Sequence, residues 1–265
     1  MKVFISADIE GVNSICSWDE TEAGHYRYNE FKKQMAEEVS AACHAAKAAG
    51  ATEVFVKDAH DSAMNLSIKD LPDFVKLHRG WEGDICSMMA GMDETFDACI
   101  FIGYHSPSRS DKNPLSHTMN TKIQHVKING VIASEFDINV LYATYLNVPC
   151  AFLSGDLGLT EYVKEVNSNI EVVATKEGKY GAVISKHPNI TNQEIYDGVV
   201  KALSKPLNNN LVEMPKKFKI EIQYRSSRVA YANSFYPGCK LVGTDKVTFN
   251  SNDYYEVLRM FKFIL

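Results

Sequence analysis

Several signals are missing from this 265-residue chain, and each absence removes a class of function. No run of about 18 apolar residues occurs, so no membrane-spanning helix is expected. The opening MKVFISADIEG reaches acidic residues after too few apolar positions to act as a secretion signal. A basic surplus is also absent: 28 Lys and Arg face 33 Asp and Glu, a net charge of -5, which argues against nucleic acid or an anionic membrane as partner. The six cysteines (Cys16, Cys43, Cys86, Cys99, Cys150, Cys239) include no C-x-x-C pair, and some lie in apolar runs such as ACIFIGY and PCAFLSG. Reduced core thiols are therefore expected, rather than a disulfide framework or a zinc ribbon. G-x-x-x-x-G-K-[ST], G-x-G-x-x-G and G-x-S-x-G are all lacking, so phosphate-loop, dinucleotide and serine-hydrolase chemistry have no motif to rest on. The expectation is a soluble, cytoplasmic protein acting on a small partner.

What the chain does contain is alternation. Strand-like and helix-like stretches succeed one another through the first two hundred residues, the pattern of an α/β fold with a mainly parallel sheet and flanking helices. Strands are predicted at 2–7, in EVFVK, in FVKL, in ACIFIGY, in CAFLSG and in IEVVAT. A helical stripe through Phe31, Met35, Val39, Cys43 and Ala46 stops at Gly50. IQHVKINGVIAS alternates on both sides of Asn129-Gly130 and predicts an antiparallel hairpin. Helices are predicted over 137–146, near 160–166 and over 191–204, the last opened by a capping box of Thr191 and Glu194. From Lys205 the texture changes through KPLNNN and MPKK into FKIEIQY, LVGTDKVTF and a helix over 253–264. The predicted division is a metal-binding catalytic domain over 1–204 and a smaller α+β subdomain over 205–265.

The chemistry is carried by the residues just beyond the strands. Asp8 and Glu10 come after the first, at an i and i+2 spacing that in extended chain points both carboxylates the same way, Asp58 and His60 after EVFVK, and His105 after ACIFIGY. In open α/β sheets ligands bind beyond the carboxyl ends of the strands, so these side chains should converge on one crevice. Each alone has an ordinary explanation: turn acids near glycine, loop histidines, or an Asp58 that only orients His60 or caps its turn. Glu135, near a helix start, is likewise unremarkable singly. Together, two imidazoles and three carboxylates form a mixed nitrogen and oxygen set suited to zinc or manganese more than to calcium. Three negative charges exceed what one divalent ion needs, so a pair of ions bridged by Asp8 fits better, able to hold a water between them and polarise a carbonyl. His117, after the polar loop HSPSRSDKNP, is placed to meet substrate as a proton donor or base.

SADIEG, KDAHDSAMNL, FIGYHS, LSHTMN, SEFDIN, SGDLG and YANSFYPG occur in an order that resembles the M55 family of D-aminopeptidases, zinc enzymes associated with dipeptide transport operons. The likeness covers nearly the whole chain. It implies two zinc ions per chain, with Asp8 as bridge, Glu10 completing one site and His60, His105 and Glu135 the other. It also implies a homo-oligomeric ring, decameric by family precedent, with active sites facing an inner channel. The family assigns the residue matching His117 as nucleophile, whereas a proton-transfer or intermediate-stabilising role is the better physical choice. One departure is visible, since Leu157 stands where the family pattern has a second aspartate, which puts contacts to the substrate amine in question.

The resulting expectation is a dinuclear zinc aminopeptidase removing the N-terminal residue of short peptides that contain D-amino acids, of the D-Ala-D-Ala type. Rival readings are a dinuclear amidohydrolase or phosphoesterase on another small substrate and a non-catalytic metal-binding protein. The scarcity of Arg and Lys near the ligand stretches disfavours phosphate, and LSHTMN favours an enzyme.

Overall fold

A computed structural model describes residues 1–265. In chain order the elements are β1 (Lys2–Ala7), α1 (Tyr28–Ala48), β2 (Glu53–Asp58), β3 (Val75–His78), β4 (Ala98–Tyr104), β5 (Ile123–Ile128) and β6 (Val131–Ile132). Next come α2 (Glu135–Tyr145), β7 (Cys150–Asp156), α3 (Leu157–Val166), β8 (Glu171–Lys179), β9 (Ala182–Ser185) and α4 (Pro188–Leu203). The chain closes with β10 (Phe218–Tyr224), α5 (Ser227–Asn233), β11 (Lys240–Val242), β12 (Lys246–Ser251) and α6 (Tyr254–Ile264).

Seven strands form one sheet in the order β3-β2-β1-β4-β7-β8-β9, parallel except for β9. Alternation decides which core each side chain joins. Val3 and Ile5 of β1 face a core shared with Val39 and Cys43 of α1 and Val199 of α4, while Phe4 between them faces α2, α6 and the second sheet. With both faces covered, β4 is apolar throughout, as parallel strands usually are. The second sheet is antiparallel, in the order β11-β12-β10-β5-β6. It joins the Asn129-Gly130 hairpin to strands from the C-terminal segment, so β5 and β6 come from within 1–204.

The chain runs outward from β1 to β2 and β3, then returns to lay β4 on the other side of β1. That reversal opens a crevice beyond the carboxyl ends of β1 and β4. Several local expectations differ from what forms. Helix α4 begins at Pro188 with His187 as its cap, because proline suits a first helical position. Thr191 lies inside the helix, where its Oγ1 accepts from Asn13 Nδ2 at 2.7 Å and no capping box forms. LVGTDKVTF bends at Gly243 (φ +68°) into the β11-β12 hairpin rather than one strand. Helix α2 starts two residues earlier than expected, since Ser134 and Asp137 make the reciprocal cap.

Candidate active site

The site is assembled at the crevice by close backbone approach. The segment after β1 turns directly over the end of β4: Asp8 N donates to Ile102 O and Gly11 N to Gly103 O, both at 2.8 Å. A Cβ on Gly11 would lie 1.7 Å from Tyr104 O, and one on Gly103 (φ +70°) 2.3 Å from Asp8 O. Only glycine permits this crossing. Strand β1 ends at Ala7 and Val12 N closes a turn onto Ile9 O. Glu10 is therefore brought beside Asp8 by a turn, not by the strand alternation that i and i+2 spacing suggests.

All six predicted residues meet there. His60 Nδ1 lies 3.3 Å from Asp8 Oδ1 and 3.0 Å from Glu10 Oε2, although neither approach has the alignment of a hydrogen bond. His105 Nε2 lies 3.6 Å from both Asp8 Oδ2 and Glu135 Oε1. His117 Nε2 is 3.6 Å from Glu135 Oε1 and 3.9 Å from Glu10 Oε1. Three groups are close enough to share an ion: Asp8, Glu10 and His60; Asp8, His105 and Glu135; and Glu10, His105 and His117. Geometry thus sets His60 with Glu10, whereas the family likeness pairs it with His105.

Each imidazole is oriented by a backbone carbonyl. His60 Nε2 donates to Thr21 O, His105 Nδ1 to Ser106 O and His117 Nδ1 to Leu115 O, each at 2.9 Å. A carbonyl can only accept, so the other ring nitrogen, aimed at the carboxylates, can present a lone pair. The His105 and His117 rings stack at 4.5 Å, and Trp18 sets its edge on His117 at 5.3 Å. The His117 side chain is 13% exposed, against at most 6% for the other five.

Asp58 does not face the cluster. Its Oδ2 accepts from Asn65 N and Leu66 N at 2.6 Å and its Oδ1 from Asn65 Nδ2 at 2.9 Å, closing the loop that carries His60. Asp156, the aspartate of SGD, is the corresponding brace for His105: it accepts from Ser106 N, Ser106 Oγ, Asn113 Nδ2 and, as cap of α3, Leu159 N. Leu157 does not line the cavity that adjoins the cluster. Lys176, fully enclosed, donates to Glu10 O at 2.5 Å and Ile15 O at 2.6 Å, and Asn113 Nδ2 also reaches Glu10 O. Residue spacing does not single out Lys176, Asn113 or Trp18.

The electrostatics describe a site short of positive charge. Burial, reinforced by the Glu10 charge, raises the Asp8 carboxyl well above its ordinary range. Burial also works against the charged forms of Glu10 and Glu135, but the imidazoles of His60 and His105 respectively outweigh it and hold both carboxyls low. In return those carboxylates overcome burial of the two rings, raising His60 well above its usual value and His105 to about 10. Protons on imidazole thus serve where a cation would. Asp8 Oδ2, Glu10 Oε2 and His105 Nε2 nevertheless remain buried without a hydrogen bond. Such atoms are costly unless they are ligands, so the residues present fit a divalent metal.

The cluster opens into a cavity of about 600 Å3, whose lining includes Trp18, His60, Trp81, Ile138, Tyr142 and Phe261. That size suits a small molecule or short peptide. No helix is long and apolar enough to cross a membrane.

Fold and cluster together define an α/β metal-dependent hydrolase. A sequence model of the peptidase family M55, described as D-aminopeptidase, matches residues 1–263, and the chain belongs to that family. It is 27% identical over 260 residues to a D-aminopeptidase of Bacillus subtilis (strain 168), covering 97% of this chain and 93% of that protein. Among solved structures it is similar to the Zn-dependent D-aminopeptidase DppA from Bacillus subtilis, described as a self-compartmentalizing protease. That likeness has a TM-score of 0.91 at 26% identity, over all of this chain and 96% of the other.

Proposed function

We propose that this chain is a dinuclear zinc aminopeptidase that removes the N-terminal residue of short peptides containing D-amino acids, of the D-Ala-D-Ala type. The observation that carries the reading is the set of buried donor atoms with no partner, gathered among three carboxylates and three oriented imidazoles. Asp8, Glu10 and His60 would hold one ion and Asp8, His105 and Glu135 the other, with Asp8 shared. Zinc, when bound, supplies a Lewis acid for the scissile carbonyl and lowers the pKa of water toward neutrality.

The remaining work falls to the protein. His117 is anchored through Nδ1, faces the cluster through Nε2 and is the most exposed of the six, so it can carry a proton to or from the reacting group. Its stacking between His105 and Trp18 fixes the ring and limits water at that nitrogen. The relative's self-compartmentalizing character supports assembly of this chain into a closed homo-oligomeric ring, with a decamer as the expected size.

The test is hydrolysis of D-Ala-D-Ala beside L-Ala-L-Ala, with and without a chelator and with zinc restored. Chelator-sensitive cleavage of the D-peptide is expected. Cleavage of neither by zinc-loaded protein would move the site to another substrate class.

A further inference from the structure

The charges that line the cavity are one-sided. Six carboxylates reach it: Asp8, Glu10 and Glu135 of the cluster, and Glu22, Asp61 and Asp84 outside it. Against them stands a single lysine, Lys262, in the last turn of α6, and no arginine. Its side chain extends from the second layer toward the loop between β3 and β4, where its Nζ lies 3.9 Å from the position a Cβ on Gly83 would take. Elsewhere in this layer Lys127 and Lys246 pair with Glu221, and Arg259 with Glu256, but none of these lines the cavity. Lys262 enters no ion pair of this kind, and it is exposed.

A short peptide has one end of each sign. Its N-terminal ammonium has a choice of carboxylates in this cavity. Its C-terminal carboxylate would be repelled by Glu22, Asp61 and Asp84, which lie outside the metal cluster, and meets one ammonium, that of Lys262 on α6. We infer that Lys262 is a specificity-determining residue that binds the C-terminal carboxylate of the peptide, so that the enzyme selects very short peptides with a free C-terminus. The inference rests on the aminopeptidase reading. Free carboxylate and ammonium attract strongly enough for recognition, and an exposed lysine outside any ion pair can be replaced with little effect on the fold.

The experiment compares D-Ala-D-Ala with its C-terminal amide as substrates of zinc-loaded wild type, Lys262→Met and Lys262→Arg. For the methionine variant KM for the free acid should rise about tenfold with kcat unchanged, while KM for the amide stays at the wild-type value. The arginine variant should keep the preference for the acid. Equal changes for acid and amide, or no change for either, would overturn the assignment of Lys262 while leaving the peptidase reading intact. Failure of the wild type to cleave either compound would remove the peptidase reading and the anchor together.

Discussion

The crossing of the β1 turn over the end of β4 makes Gly11 the most sensitive backbone position in the site. Real Cβ atoms keep at least 3.0 Å from other heavy atoms, and the added methyl of Gly11→Ala would start at 1.7 Å from Tyr104 O. One backbone must retreat by the difference, 1.3 Å. The contact is with main chain on both sides, so no side chain can swing away to relieve it. The hydrogen bond from Gly11 N to Gly103 O is strained or lost, and Asp8 and Glu10 move away from His105. Overpacking of this kind costs about 1–3 kcal/mol. A misplacement of about 1 Å at reacting groups costs about a hundredfold in rate. Zinc content, kcat/KM for a D-dipeptide and urea unfolding should be measured beside Gly181→Ala, where an added Cβ meets nothing within 4 Å. Gly11→Ala should lose metal and about two orders of magnitude in kcat/KM, and the control should match wild type. Wild-type zinc and activity in Gly11→Ala would refute the geometric argument.

Other consequences are as direct. His117→Ala should abolish turnover and keep the zinc content of wild type by metal analysis, and loss of zinc along with activity would make His117 a ligand instead. His60→Ala should lose one of two ions and His105→Ala the other, read as zinc per chain after dialysis. Glu38 is buried in α1, accepting from Asn13 N at 2.9 Å, with Oε2 unpartnered. Burial raises its carboxyl from 4.5 to about 7. The folded state therefore holds that proton more tightly than the unfolded state, and the stabilisation is complete below pH 4.5 and lost as pH rises to about 7. Relative to Glu38→Gln, which cannot titrate, the wild type should lose about 3 kcal/mol across that interval in urea unfolding. A difference that does not change with pH would contradict it.

Much of the site was readable because it lies at strand ends. A buried strand that stops at Ala7, Asp58 or Tyr104 fixes where the next polar side chain must appear, and parallel order brings those ends to one edge. The parallel strands, the Asn129-Gly130 hairpin and α6 were legible from period and turn chemistry, whereas β9 and the turn between β11 and β12 were not. What escaped depends on the backbone or on distant partners. Carbonyls such as Thr21 O and Leu115 O choose which nitrogen of a histidine faces inward, and a carbonyl leaves no trace in sequence. Asp58 resembles a ligand by position, yet the backbone amides of Asn65 and Leu66 claim it first. Lys176 reaches Glu10 across 166 positions of chain, a pairing that only the closed fold creates. The pairing of His60 with Glu10 likewise arises from the turn at Ile9–Val12, which the i and i+2 spacing did not describe.

The central claim is that one cluster, shared through Asp8, holds two divalent ions. Zinc per chain, determined by elemental analysis of wild type and Asp8→Ala after removal of loosely bound metal, tests it most directly. Two ions in wild type and none in Asp8→Ala are predicted. A single ion in wild type, or a variant that still holds both, would contradict the account.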